Sequence, residues 1–205
     1  MSKRKCLCLV LAGLALLLPL HGNAADRCDW DALARHVDYV AIEAVSDELE
    51  AIINSISKTP DTDEDAQLAR TLLRRAWNPW PLGNITGQWR IRSIQSDGFG
   101  VFAYPAFRAW IDAPGRCGQF FQKMTGSQLR AGYLYPIAGR EAMAFLGRTM
   151  NEYDPQKVYV SDQDNPGNTA GQLIRIGANE LLMVMDVRLS DGGEDERFEL
   201  YYLYK

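Results

Sequence analysis

The sequence is poor in histidine, cysteine and clustered basic charge, and beyond residue 20 it contains no long apolar run. Its two histidines, His21 and His36, are too few for a zinc site or a dyad built from imidazoles. A Ser–His–Asp triad would need His36 to meet a distant serine, and no Gly-x-Ser-x-Gly elbow is present. Walker loops and dinucleotide fingerprints are also missing, so no cofactor is implied. With 22 Lys and Arg against 26 Asp and Glu, the formal charge is −4, and without a basic block nucleic acid is not expected as a partner. These absences favour a non-catalytic binding protein over an enzyme.

What is present begins with a compact leader. Lys3, Arg4 and Lys5 precede an apolar run over residues 6–20, Pro19 breaks it, and small residues up to Ala24 and Ala25 lead into acidic Asp26. This is the pattern of a signal peptide over residues 1–25, cleaved after Ala24 or Ala25, and it implies a periplasmic or secreted protein. The run is shorter than the roughly 20 apolar residues of a membrane helix, so no stable membrane insertion is expected after cleavage. Without Lys3, Arg4 and Lys5 the chain keeps 19 basic against 26 acidic residues. It also keeps Cys28 and Cys117, which an oxidising compartment would allow to pair; burial as two small hydrophobes is the alternative.

Between residues 29 and 56, Leu33, Val37, Val40, Ala44, Val45, Leu49, Ile52, Ile53 and Ile56 recur at three and four, the spacing of one helical face. Asp29 and Asp31 lie where a first turn favours acids. After Lys58-Thr59-Pro60-Asp61, Thr62 with Asp65 resembles a capping arrangement for a second helix ending near Trp77. Residues 26–82 thus read as a helical hairpin. Past the connector Asn78-Pro79-Trp80-Pro81-Leu82-Gly83-Asn84 the period drops to two, and residues 83–205 read as a strand domain. Candidate strands are 85–94, 100–104, 107–111, 119–124, 128–135, 141–146, 157–160, 171–176, 180–188 and 197–204, separated by turns such as Thr125-Gly126-Ser127 and Gly177-Ala178-Asn179. Eight to ten short strands with no helices between them predict an antiparallel meander, and closure into a barrel removes its edges. The fold class is therefore α+β, a helical hairpin followed by an antiparallel β-barrel.

Several local patterns carry possible chemistry. Lys123-Met124-Thr125-Gly126-Ser127-Gln128-Leu129-Arg130 is the densest polar cluster between two strands. It reads as a hairpin turn or as a binding rim in which Lys123 and Arg130 face an anionic group while Ser127 or Gln128 donates hydrogen bonds. Asp162-Gln163-Asp164-Asn165-Pro166-Gly167-Asn168 departs from a calcium loop at Pro166 and at Leu173, and reads as a solvated loop. The acidic stretch 191–196 reads as an exposed hairpin. Trp77, Trp80, Trp89, Trp110, Tyr133 and neighbouring aromatics suit either a barrel core or an apolar pocket.

Gly87-Gln88-Trp89 opens the first strand and resembles the Gly-x-Trp of lipocalin and related calycin barrels. That resemblance implies a Trp packed across the closed end beneath a late-strand Arg, for which Arg188 and Arg197 are the candidates. From Gly87 onward the chain is also similar to an uncharacterised bacterial family of exported proteins, a domain of unknown function. The residues carrying this are Gly87-Gln88-Trp89-Arg90, Tyr104-Pro105-Ala106-Phe107, Lys123 to Gln128, Gly132-Tyr133-Leu134-Tyr135 and Phe145-Leu146-Gly147. The family's cysteines on the first and third strands correspond here to the neighbourhoods of Ile91 and Trp110, so that bridge is not carried over. The combined expectation is an exported envelope binding protein holding a small apolar ligand or a protein partner, with Trp89, Lys123, Ser127, Gln128, Arg130 and Tyr133 as candidate ligand-binding residues. A periplasmic protease inhibitor and an enzyme of unknown type are the alternatives.

Overall fold

A computed structural model describes residues 29–56, 63–96, 100–151, 153, 158–161, 167–188 and 197–205. Cys28 and the whole stretch read above as a signal peptide lie outside the described residues, as do most of the 162–168 loop and all of the acidic stretch 191–196.

The first helical stretch is two helices, α1 (Trp30–Leu33) and α2 (His36–Ile56). The chain leaves helical geometry at Ala34, and the Arg35 backbone N–H donates to the Tyr159 hydroxyl at 2.8 Å. A tertiary partner for that donor replaces the turn-to-turn bond a continuous helix would make. The buried stripe of α2 is Ile42, Val45, Leu49, Ile52, Ile53 and Ile56. Val37 and Val40, expected on that face, are exposed at 63% and 48%; in the first turn of α2 the buried residue is Asp38, which accepts from Arg35 and from the Tyr159 hydroxyl, and the apolar stripe begins at Ile42. In α3 (Glu64–Ala76) the cap is Asp63 rather than Thr62, its carboxylate accepting from Asp65 N and Ala66 N at 2.9 and 3.1 Å. Glu64 and Asp65 in its first turn and Arg74 and Arg75 in its last complement the helix dipole.

Among the described residues nine strands follow: β1 (Gly87–Ser96), β2 (Val101–Ala103), β3 (Phe107–Ile111), β4 (Gln119–Lys123), β5 (Leu129–Pro136), β6 (Ala142–Met150), β7 (Asn168–Gly177), β8 (Glu180–Arg188) and β9 (Arg197–Tyr204). Residues 158–160, expected to be a strand, are irregular. Each strand pairs antiparallel with its neighbour, and β9 returns to β1 from Arg90↔Tyr204 to Ser96↔Phe198, closing the sheet. Eight staves make the barrel, because β2 and β3 are two halves of one stave. Both lie on the same edge of β1, β2 against Ile94 to Ser96 and β3 against Gly87 to Ile91. Tyr104-Pro105-Ala106 interrupts them, and Pro105 has no N–H to give a ladder. The barrel is therefore an α+β meander of the kind the turn spacing predicts.

The period of two sorts residues onto two faces. The outer face of β6, β7 and β8, with Ala142, Ala144, Leu146, Ala170, Ile174, Leu182 and Val184, packs with α2 and α3 into one apolar cluster. Gln172 is fully buried in this interface, donating to Ile42 O at 2.5 Å and accepting from the Ser46 hydroxyl at 3.4 Å. The inner face forms a second cluster, in which the Phe121 ring lies edge-on to Phe145 at 5.7 Å and tilted to Tyr201 at 6.3 Å. Gly132 and Gly147 face each other across β5 and β6, and a Cβ on Gly132 would lie 2.3 Å from the Gly147 Cα. The two strands approach too closely there for any side chain.

One end of the barrel is sealed. Ile85 and Trp89 are buried, the Trp89 indole N–H donates to Ile85 O at 2.8 Å, and Leu82 packs beside them. The cation on the Trp89 ring is Lys205, its Nζ 4.3 Å from the ring centroid and 3.2 Å from Thr86 O. This corrects the expectation of Arg188 or Arg197: β9 runs downward, so Arg197 starts at the opposite end, and the residue just past the strand reaches the tryptophan.

Candidate functional site: the polar mouth of the barrel

The opposite end differs in chemistry. Followed upward, the interior positions change from apolar to polar on nearly every stave: Ser93 and Gln95 on β1, Lys123 on β4, Arg130 on β5, Thr149 on β6, Thr169 on β7 and Glu199 on β9. Lys123 and Arg130, directly opposite each other across β4 and β5, are only 4% and 5% exposed.

Arg130 is the centre of this cluster. It pairs with Glu199 at 2.8 Å and with Asp186 at 3.5 Å, while its Nε and Nη2 donate to the Thr149 hydroxyl at 3.2 and 3.0 Å. Its guanidinium carbon stands 5.1 Å above the Tyr201 ring. Burial works against its charge, but Tyr201, Glu199 and Asp186 together raise its pKa, so it stays a cation. Burial would also raise Glu199, yet Arg130 and the donors of Gln95, Arg130 and Ser93 hold that carboxyl below its ordinary range. Ser93 and Gln95 donate to Glu199 at 3.0 and 3.2 Å. Asp186 goes the other way: desolvation raises it more than Arg130 lowers it. Its backbone φ is +52°, a left-handed conformation that Asp tolerates better than most residues, at a break in the β8–β9 register.

Lys123 Nζ donates to Gln128 O at 2.6 Å and sits over Phe107 at 4.4 Å and Tyr201 at 5.8 Å. Desolvation and the neighbouring guanidinium lower its pKa, with Glu199 acting in the opposite sense. Two adjoining recesses open here and share Gln95 and Gln128. One of about 270 Å³ is lined by Lys123, Ser127, Ser93, Tyr104 and Phe107; the other, of about 400 Å³, is lined by Arg130, Asp186, Glu199 and Arg197. Buried ion pairs are a poor source of stability, so such a group inside a barrel points to recognition or chemistry.

A family model described as Domain of unknown function (DUF4893) matches residues 30–192. The chain belongs to this family. The match crosses from α1 to beyond β8, so the DUF4893 unit contains the helices and most of the barrel as one sequence unit. No curated protein and no solved structure matches the chain.

Of the candidate ligand-binding residues, the fold of this DUF4893 member brings Lys123, Ser127, Gln128 and Arg130 to the mouth. It does not bring Trp89 or Tyr133 there. Trp89, 2% exposed, belongs to the sealed end. Tyr133 has outward parity on β5, opposite in sense to Arg130, Gly132 and Leu134, and packs against Phe120 and Tyr135. Glu199, Asp186, Tyr201, Ser93 and Gln95 escaped the sequence reading. Strand parity was the available signal, since Ser93 and Gln95 share the face of Trp89 and Ile91, and Glu199 shares that of Tyr201 and Leu203. Among the described residues no group of three or more His, Cys, Asp or Glu is placed to hold a metal ion, and no helix is long and apolar enough to cross a membrane.

Proposed function

We propose that this protein is an exported, non-catalytic binding protein of the bacterial envelope, and that its ligand is a small polar molecule held in the mouth of the barrel. The observation carrying this reading is a contrast within one interior. Its lower part is filled by Trp89, Phe121, Phe145 and Tyr201, while its upper part is a recess lined by charges, of which Lys123 and Arg130 are buried. A filled lower barrel leaves little support for an apolar guest, whereas polar groups convergent on a concave site are the usual means of fixing a ligand's orientation. Export rests on Lys3, Arg4, Lys5 and the apolar run after them. The Cys28–Cys117 bridge belongs to the same reading: Cys117 packs against the cluster that contains Trp30, two residues from Cys28.

Backbone NMR of the processed protein, titrated with small polar compounds, tests the site. Shifts gathered at residues 93–95, 123–130 and 199 are expected; shifts confined to the sealed end would overturn it. Cell fractionation with N-terminal sequencing tests export, a mature start at Ala25 or Asp26 in the periplasmic fraction being the expected result. Thiol counting after denaturation tests the bridge, and two reactive thiols in the exported form would remove it.

An enzymatic reading has one observation in its favour. Glu199 and Asp186 flank one guanidinium and shift in opposite directions, the arrangement of an acid and a base. Under that reading Asp186→Asn would abolish turnover of a substrate while leaving its binding intact; under the binding reading no substrate is turned over.

A further inference from the structure

Among the described residues, Lys123 is a buried cation with more donors than acceptors around it. An ammonium has three N–H groups. One is taken by Gln128 O at 2.6 Å, and the aromatic faces of Phe107 and Tyr201 beneath it offer no strong acceptor. Glu199, the carboxylate that acts on it through space, is already engaged by Arg130, Ser93 and Gln95. Arg130 stands directly across the strand pair, and like charges at directly opposed positions destabilise a sheet. An ammonium removed from water without full hydrogen bonding is costly unless something supplies the acceptor.

The turn above it is shaped around this point. Gly126 has φ +97°, and a Cβ there would lie 2.9 Å from the Phe107 ring and 3.4 Å from the Lys123 Nζ. The turn therefore folds closely over ring and ammonium, leaving Ser127 on the wall of the 270 Å³ recess.

Building on the mouth as the ligand site, we infer that the ligand presents a single oxyanion group, a carboxylate or a phosphate, to the Lys123 ammonium, with the Ser127 hydroxyl as a further donor. The remainder of a small ligand then has the adjoining recess beside Arg130 to occupy. Anion and ammonium stabilise each other, so binding also favours the protonated amine.

The test uses the processed protein with hexanoate, inorganic phosphate and neutral hexanol, against wild type, Lys123→Met and Ser127→Ala. Titration calorimetry is expected to show at least one of the two anions binding, hexanol not binding, a loss of at least tenfold in Lys123→Met and a smaller loss in Ser127→Ala. Whether hexanoate or phosphate binds more tightly separates the two sources of the group. NMR of the Lys123 side chain is expected to show its titration moving upward when the anion binds, which a merely structural lysine would not do. Circular dichroism and urea unfolding check that Lys123→Met folds; if it does not, Lys123→Gln and the side-chain titration of the wild type decide. Anion binding that is equal in the lysine variants, or an unmoved Lys123 titration on binding, overturns the inference while leaving the mouth as a ligand site. No anion binding together with mouth shifts from a neutral polar probe such as glucose overturns it in the same way, whereas no shift at the mouth from any probe overturns both readings.

Discussion

Glu199 and Asp186 show how position decides what a carboxylate does to stability. Glu199 is partly buried with three donors, and Glu199→Gln would leave the Arg130 guanidinium buried and under-compensated. That change is expected to cost about 3 kcal/mol or more in urea unfolding at neutral pH. Burial raises Asp186 above its ordinary value against the pull of Arg130, and its side chain, 40% exposed and 3.5 Å from that guanidinium, makes a longer and wetter pairing than Glu199 does at 2.8 Å. Asn adopts a left-handed backbone as readily as Asp, and Asp186→Asn is expected to change stability far less than Glu199→Gln. Equal losses for the two would show that Asp186 carries as much of the Arg130 charge as Glu199 does. At the other end of the barrel, Lys205→Met removes a cation from the Trp89 face and should cost about 0.5–1 kcal/mol, with no effect on ligand binding at the mouth. A binding defect in that variant would contradict the separation of the two ends.

At the scale of elements, β6 and β8 are enclosed on both sides, and their strands were legible from length and turn signals rather than from alternation: β8 lies at 180–188 as expected, while β6 runs four residues past the expected 146. Their runs Ala142 to Leu146 and Leu181 to Met185 are buried on both faces, one by the barrel interior and one by the helices, so the alternation that marked β3 and β4 is absent from them. Close strand approach follows from the glycines. A Cβ on Gly147 would lie 2.2 Å from Phe145 Cζ and 2.7 Å from Ala131 O, so Gly147→Ala is expected to destabilise by about 1–3 kcal/mol. Gly139 is the useful control, with open space around it but φ +75°, so Gly139→Ala measures backbone strain alone, about 1 kcal/mol. Comparing urea midpoints of the two checks this; a Gly147→Ala midpoint at or above that of Gly139→Ala would mean that β5 and β6 separate at no cost.

At the scale of the whole molecule, the shifted groups set the shape of the stability profile. Hydrogen bonds from Arg75 and Tyr202 lower Glu180, and Arg130 with its neighbours lowers Glu199 against the effect of burial. Below about pH 4.5, the ordinary value of both, the unfolded chain takes up protons that the folded chain refuses, and stability falls with pH. Asp186 opposes this, because its folded form keeps a proton that the unfolded chain loses. Burial raises Tyr159 and Tyr202 to about 12 from 10, aided by Asp38 and Glu180, so stability is expected to be lost again as the pH rises above 10, with Lys123 opposing in part. Urea midpoints from pH 3 to 11 should describe a dome; a flat acid limb or a rising alkaline limb would contradict these assignments. The change of period at the Pro-rich connector, the turns and the meander were legible in the sequence because each rests on local spacing and backbone preference. So was half of the mouth, since Lys123, Ser127, Gln128 and Arg130 lie within eight residues of one another. The other half was decided by closure: only the return of β9 onto β1 places Glu199 beside Ser93 and Gln95, residues more than a hundred positions away. A carboxylate close to an acidic loop looks solvated along the chain, and it becomes the buried partner of a guanidinium only when long-range strand pairing excludes the water around it.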